Sequence, residues 1–88
     1  AYPNPFNPST TINFGLPEDA DVVIKIYDLI GREIKTIINE NVQAGYHHVT
    51  WNAYDYSSGI YFIQMVVLHK NNSQFNKFIN TQKLMLVK

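Results

Sequence analysis

The chain has 88 residues, which is enough for one domain with one hydrophobic core and too few for two. Seven Lys and Arg residues balance seven Asp and Glu residues, so we expect no nucleic-acid partner, because no net charge attracts one. There is no cysteine and no apolar run near the roughly 18 residues of a membrane span, which predicts no disulfide, no cysteine-based metal site and no stable membrane insertion.

The opening segment holds three of the four prolines. Each proline restricts φ and removes a backbone donor, so this segment is predicted to be neither helix nor central strand but an extended lead-in or edge. We assign residues 1–9 to a proline-rich lead-in from an upstream linker and residues 10–88 to the folded domain. The chain begins with Ala1 rather than Met, and we expect it to be a piece of a longer protein.

From residue 10 onward, short β-prone runs are separated by turn residues, and no stretch has apolar residues at helical spacing. Gly31 is expected at a turn position with positive φ between the second and third runs. A longer loop is predicted at Asn39–Gly45 and a turn at His69–Asn72. The predicted strands are Thr10–Leu16, Val22–Asp28, Arg32–Ile38, Tyr46–Asn52, Gly59–Leu68, Ser73–Ile79 and Gln82–Lys88.

This pattern predicts an all-β fold, an immunoglobulin-like antiparallel β-sandwich of about seven strands. Gly59–Leu68 is the longest and most apolar run, so we expect it in the middle of a sheet with both faces buried. The order of a polar loop, Gly59 and Tyr61 resembles a tyrosine corner, in which a tyrosine hydroxyl bonds back to upstream backbone.

No arrangement of residues is typical of an active site. The serines lack a Gly-x-Ser-x-Gly elbow, and the four glycines form no phosphate-binding loop. His47 and His48 are neighbours on a strand and point to opposite faces, while His69 lies in a distant turn, which argues against a metal site. We expect His47 to be half-buried beside Trp51 and His48 to be solvated. No catalytic residue, metal or cofactor is predicted.

Aromatic residues around one loop indicate an alternative function. Exposed aromatic rings on a β-sandwich can stack on sugar rings, and the candidates for such a platform are Tyr46, Trp51, Tyr54 and Tyr56. The competing interpretation is that Trp51 belongs to the core and that the tyrosines cover the rim with their hydroxyls in water. A carbohydrate-binding module and a structural immunoglobulin-like accessory module therefore stay open.

Four segments, taken together and in order, resemble a known family. They are Tyr2–Ile12, Ile26–Glu33, Ala44–Asn52 and Ser58–Phe62. Over nearly the whole chain they resemble the type A C-terminal sorting domain of type IX (Por) secretion cargo. The hairpin and the tryptophan-containing strand also resemble the immunoglobulin-like domain of flagellar hook-cap proteins, which supports the architecture more than the function.

The resemblance implies a non-catalytic sorting signal. Such a domain directs a larger, covalently linked upstream cargo protein through the periplasm and across the outer membrane of a Gram-negative bacterium, to the cell surface or the medium. The implied partners are the outer-membrane translocon, a shuttle protein and a sortase-like protease. That protease often removes the domain and can join the cargo to a surface lipopolysaccharide.

Two family motifs match this chain position by position. The first is Gly-x-Tyr, matched by Gly59 and Tyr61. The second is a pair of lysines separated by four residues, matched by the terminal segment of Lys83, Leu84, Met85, Leu86, Val87 and Lys88. The resemblance implies that the secretion machinery recognises these residues, and an edge strand bracketed by lysines could be captured by β-augmentation. Alternatively, the lysines guard the edge against aggregation, and Gly59 and Tyr61 form only the turn and the corner.

Overall fold

The computed structural model describes residues 2–71 and 74–88. These residues form six strands, which pair as a two-stranded sheet of order β1-β4 and a four-stranded sheet of order β3-β2-β5-β6. All pairings are antiparallel, so the predicted all-β antiparallel sandwich is confirmed. The strands are β1 Ser9–Leu16, β2 Ala20–Asp28, β3 Glu33–Val42, β4 Gly45–Asn52, β5 Gly59–Asn71 and β6 Gln74–Leu86.

The core follows from the alternation of side chains along each strand. Successive residues of a strand point to opposite faces, so every second residue faces the other sheet. In β2 the buried residues are Val22, Ile24 and Ile26, and in β1 they are Ile12, Phe14 and Leu16. Both sets match the apolar positions of the sequence pattern, which therefore determines which face of each strand is buried.

The proline-rich lead-in is built into the sandwich. Tyr2 and Thr11 exchange two backbone hydrogen bonds of 2.8 Å at the outer edge of β1. Further along, the backbone N–H of Phe6 donates to Met85 O at 2.9 Å, and the N–H of Val87 donates to Phe6 O at 3.0 Å. The Phe6 side chain is 2% exposed. The lead-in thus ties the first strand to the last one and supplies a core residue.

The β2–β3 hairpin is held by the side chain of Asp28. Its carboxylate accepts hydrogen bonds from the backbone N–H groups of Ile30 and Arg32, at 3.1 and 2.9 Å, and from Nε of Arg32 at 2.8 Å. Gly31 has a φ of 87°, the positive value predicted for this turn. The backbone N–H of Arg32 and the nearby guanidinium lower the pKa of Asp28.

The strand count differs from the prediction, because the last two predicted strands are one. β6 runs without interruption through Asn80 and Thr81, which pair with Met65 and Gln64 of β5. Ladder hydrogen bonds join backbone groups, so polar side chains alone do not end a strand where no proline or glycine intervenes. The structure therefore has six strands rather than about seven.

Two predicted connections are also shorter than expected. Residues 39–42 of the predicted loop belong to β3, where Val42 pairs with Ala20 and is buried. Of the predicted turn His69–Asn72, the first three residues lie in β5. Asn72, and Ser73 at the predicted start of the next strand, lie outside the described residues.

The most apolar strand lies inside the four-stranded sheet, as predicted, between β2 and β6. Only one of its faces points toward the other sheet, however. Tyr61 and Ile63 are buried against the other sheet, whereas Ile60, Phe62 and Val66 on the opposite face are half-exposed. The expectation that both faces are buried is thus wrong, because no second layer covers the outer face among the described residues.

Truncation of Phe6 tests whether the lead-in stabilises the fold. We expect Phe6→Ala to lower the free energy of unfolding by about 3–5 kcal/mol, as for other buried phenylalanines. Tyr2→Ala, which removes an exposed side chain from the same lead-in, should change it by less than about 0.5 kcal/mol. Urea unfolding of the three proteins measures both values. Equal stability of the Phe6→Ala variant and the wild type would contradict this stabilising role of the lead-in.

Acid should weaken the hairpin at Asp28. Because folding lowers the pKa of this carboxyl, its contribution to stability is present above the pKa of the unfolded chain and is lost as the pH falls through the folded value. We expect Asp28→Asn to be less stable than the wild type at pH 7 and the difference to shrink below a pH of about 4. Urea midpoints at pH 7 and pH 2.5 measure this change, with Asp55→Asn, at an exposed position, as the control.

Candidate functional site

The predicted terminal motif divides between the core and the surface. Leu84 and Leu86 point into the sandwich and are fully buried, whereas Met85 and Val87 point outward and are 40% and 47% exposed. Lys83 is also exposed and lies on the outward side with them. The period-two geometry of a strand therefore leaves Lys83, Met85 and Val87 accessible, whereas Leu84 and Leu86 belong to the core.

The structure brings the two predicted motifs together. Gly59 pairs with Leu86, and Tyr61 pairs with Leu84, on the adjacent strands β5 and β6. About 25 residues separate the motifs in sequence, and only the β5–β6 pairing places them side by side. Gly59 and the terminal segment thus form one region at the end of the four-stranded sheet.

Tyr61 has a structural role that its burial explains. Its side chain is buried, and its hydroxyl donates a hydrogen bond of 2.6 Å to the carbonyl of Ser57, four residues upstream. This is the tyrosine-corner geometry that the sequence suggested. Burial, together with the nearby charge of Asp28, raises the pKa of Tyr61. Tyr61 is thus a buried residue of the corner that also pairs with Leu84 of the terminal segment.

The two lysines of the terminal motif have different surroundings. Lys88 is held in place, since its backbone N–H donates to Ser58 Oγ at 3.0 Å and its ammonium donates to the carbonyl of Tyr54. The ammonium of Lys83 enters none of the ion pairs found within residues 2–71 and 74–88. Lys25, which lies on the same face of the sheet, is neutralised by Glu33 at 2.9 Å. Lys83 is therefore an uncompensated positive charge beside Met85.

The backbone edge of the terminal segment is occupied by the lead-in. The side-chain amide of Asn4 donates to Lys83 O at 2.8 Å and accepts from the N–H of Met85 at 2.9 Å. In this way it takes the place of a peptide group, and Phe6 supplies the next pair of backbone bonds. The free backbone edge expected at residues 84–87 is thus not found, because a segment of the same chain already covers it.

The aromatic residues do not assemble into a platform. Trp51 is 1% exposed and packs against the rings of Phe6, Tyr56 and Tyr61 at centroid distances of 5.4 to 5.5 Å. Tyr46 and Tyr54 are exposed, but one lies at the start of β4 and the other follows its end. Their separation, about eight residues of extended chain, is far greater than one sugar ring. Trp51 therefore belongs to the core.

His47 and His48 are consecutive residues of β4 and so point to opposite faces of the strand, as the sequence predicts. His47 is half-buried and stacks on Phe14, with ring centroids 5.5 Å apart, and not on Trp51, while His48 is exposed. Within the described residues no three His, Cys, Asp or Glu side chains are close enough to hold a metal ion. The same part of the chain has no helix with the length and apolar character needed to cross a bilayer.

Sequence reasoning missed the apolar outer surface beside the terminal segment. Ile60 pairs with Met85, and Phe62 pairs with Lys83, so half-exposed side chains of β5 adjoin the exposed ones of β6. We call the group of Ile60, Phe62, Lys83, Met85 and Val87 the outer strip. The signal that could have revealed it is the unbroken apolar run of β5 beside an edge strand, since an edge neighbour leaves one face open. Contiguous exposed apolar surface is typical of a protein-binding site.

Fold and surface together define a small all-β domain that offers an apolar, cationic strip and has no recognisable catalytic arrangement among its described residues. The sequence profile described as the secretion system C-terminal sorting domain matches residues 1–84. The chain therefore belongs to this family, the C-terminal sorting signals of type IX secretion. Such a signal implies an upstream cargo and its export to the cell surface or the medium.

The family match includes the whole lead-in but stops at Leu84, so residues 85–88 lie beyond it. No curated protein and no solved structure shows significant similarity to the chain. The family assignment accordingly rests on the match over residues 1–84, and the role of Met85, Val87 and Lys88 rests on their geometry.

Removal of one hydroxyl tests whether Tyr61 acts through the fold. We expect Tyr61→Phe to lower the free energy of unfolding by about 0.5–1.5 kcal/mol, because the hydrogen bond to the carbonyl of Ser57 is lost. Tyr54→Phe, at an exposed position, should leave it unchanged within about 0.5 kcal/mol. Thermal unfolding compares the two variants with the wild type, and an unchanged midpoint for Tyr61→Phe would show that the corner bond contributes nothing.

Proposed function

We propose that the secretion machinery reads this sorting signal through the outer strip. Its exposed side chains combine two apolar groups, Met85 and Val87, with the ammonium of Lys83, which has no ion-pair partner in the part of the chain that the structure describes. A matching partner surface would have an apolar pocket with a carboxylate at its margin, because an unpaired cation beside apolar groups favours an anion at the edge of the contact. The exposure of Met85 and Val87 next to a buried Leu84 and Leu86 is the observation that carries this proposal.

Recognition through side chains fits the geometry better than strand addition at residues 83–87. On the outer edge of that segment, the carbonyl of Lys83, both backbone groups of Met85 and the N–H of Val87 are already bonded to Asn4 and Phe6. A partner strand would first have to displace the lead-in and expose Phe6, which is buried. Side chains on the face of the sheet can be bound without that cost.

We also propose the export route and the partners that the resemblance to type IX sorting signals implies. The domain performs no reaction itself, passes through the periplasm of a Gram-negative cell with its cargo, and contacts an outer-membrane translocon and a shuttle protein. A sortase-like protease removes it and can join the cargo to lipopolysaccharide. We expect such a cut before Tyr2, because Tyr2, Pro3, Asn4 and Phe6 are hydrogen-bonded to β1 or to the terminal segment.

Deletion of the terminal hexapeptide is a poor test of this function. It would remove Leu84 and Leu86 from the core, and buried leucines typically contribute about 2–5 kcal/mol each. A loss of export would then reflect unfolding as much as loss of a signal. Substitutions confined to outward-facing side chains avoid this ambiguity.

The sharper experiment compares two pairs of residues on the same face of β6. A reporter with an inner-membrane signal peptide is fused in front of the domain and expressed in a host with type IX secretion. We expect the double variant Lys83→Glu with Met85→Ser to hold the reporter in the periplasm. The matched control, Lys77→Glu with Ile79→Ser, makes the same chemical change at the same spacing and at exposed positions, and its reporter should be delivered normally.

Fractionation and immunoblotting measure the delivered share, and thermal unfolding confirms that both variants fold. If both variants are delivered equally well, the outer strip is not the recognition surface. If both are retained although folded, recognition depends on the whole face of β6 and the proposal in this form is wrong.

A further inference from the structure

One side of the sandwich is only half closed. The lead-in bridges β1 and β6 near Thr11 and Met85, but beyond that point the two strands border an open groove. Two cavities of about 250 and 340 Å³ lie along it and share Gly15 and Met65 in their walls. The larger cavity is mostly apolar, and its walls include Leu16, Ala20, Met65, Val67 and Phe78.

The edge of β1 along this groove has unpaired backbone groups. In an antiparallel strand the N–H and C=O of one residue point to the same side, and the side alternates from residue to residue. Thr11 uses both groups to bind Tyr2 on the edge away from β4. Asn13 and Gly15 therefore direct their groups to this same edge, where the described part of the chain offers them no partner.

The direction of the lead-in points along this edge. Tyr2 pairs with Thr11 in the antiparallel sense, so a chain that continues upstream from Tyr2 in the same ladder advances toward Leu16. We propose that the residues immediately preceding Ala1 in the cargo-bearing protein extend this ladder and fill the groove as a third strand of the β1-β4 sheet. The inference rests on the upstream cargo that a sorting signal implies.

The register of this docking follows from the Tyr2–Thr11 pair. Continued without a bulge, it places the first residue before the chain opposite Asn13 and the third opposite Gly15, where each exchanges two backbone hydrogen bonds. The second and fourth residues then lie opposite Phe14 and Leu16, and their side chains point into the groove.

The groove also defines the chemistry of the segment that fits it. The side chain of the second upstream residue would enter the smaller cavity, whose walls combine Ile12 and Ile63 with the amides of Asn80 and Gln82. The fourth would enter the apolar cavity beside Phe78. We therefore expect an extended segment with a small or polar second residue and an apolar fourth residue, the pattern by which strand addition acquires specificity.

Amide hydrogen exchange of the complete cargo-bearing protein tests this docking. Fragmentation that resolves single amides reports Asn13 and Gly15. We expect their exchange to accelerate by at least about ten-fold when proline replaces the first and third residues before Ala1, because proline removes the two donors of the ladder. Phe78→Asp, which places a charge in the apolar cavity, should accelerate the same two amides.

Ile79→Asp is the matched control, since it makes the same kind of change at the next residue of β6, which is exposed on the opposite face. It should leave the exchange of Asn13 and Gly15 unchanged. Exchange that is fast in the wild type, or insensitive to the prolines, would overturn the proposal. So would protection that rises with protein concentration, because a second copy would then be the occupant. None of these readouts measures export, so their failure leaves the sorting function untouched.

Discussion

The packing of Phe6 against Trp51 is the contact on which the rest of the structure depends. A sheet of two strands is marginal by itself, and here it has to cover a sheet of four. The lead-in compensates by placing Phe6 in the core, 5.5 Å from the indole ring, while its backbone binds both β1 and β6. The segment that looked most like a linker thereby holds the first and last strands together.

This clamp also determines what the terminal segment can present. Since Asn4 and Phe6 occupy its backbone edge, only side chains remain for a partner. Alternation sends Leu84 and Leu86 inward and Met85 and Val87 outward, so core side chains and exposed side chains alternate within four residues. On the proposed function, a partner that binds the outer strip binds a folded domain, because the same strand geometry that forms the strip also fills the core.

The sequence predicted those features that depend on local periodicity or on a single restrictive residue. The all-β character of the chain and the positive φ of Gly31 are of this kind. It did not predict the burial of Phe6, because a proline-rich segment is extended wherever it lies and nothing local shows what it pairs with. The recognition role of the terminal motif stays a prediction, and the division of its side chains between core and surface depends on the β5–β6 pairing, which the sequence does not show locally.

The strands β1 and β6, which border the open groove, meet the lead-in differently. This difference explains why an upstream segment would pair with β1 and not with β6. Along β6 the lead-in runs parallel to the strand and ends its contact at Lys83, whereas at β1 it runs antiparallel and is still paired at Tyr2. A chain arriving from upstream therefore meets β1 before it meets β6. Its addition would raise the smaller sheet from two strands to three and cover apolar surface around Phe78. The outer strip lies on the opposite face of the larger sheet, so cargo attachment and recognition would use separate surfaces.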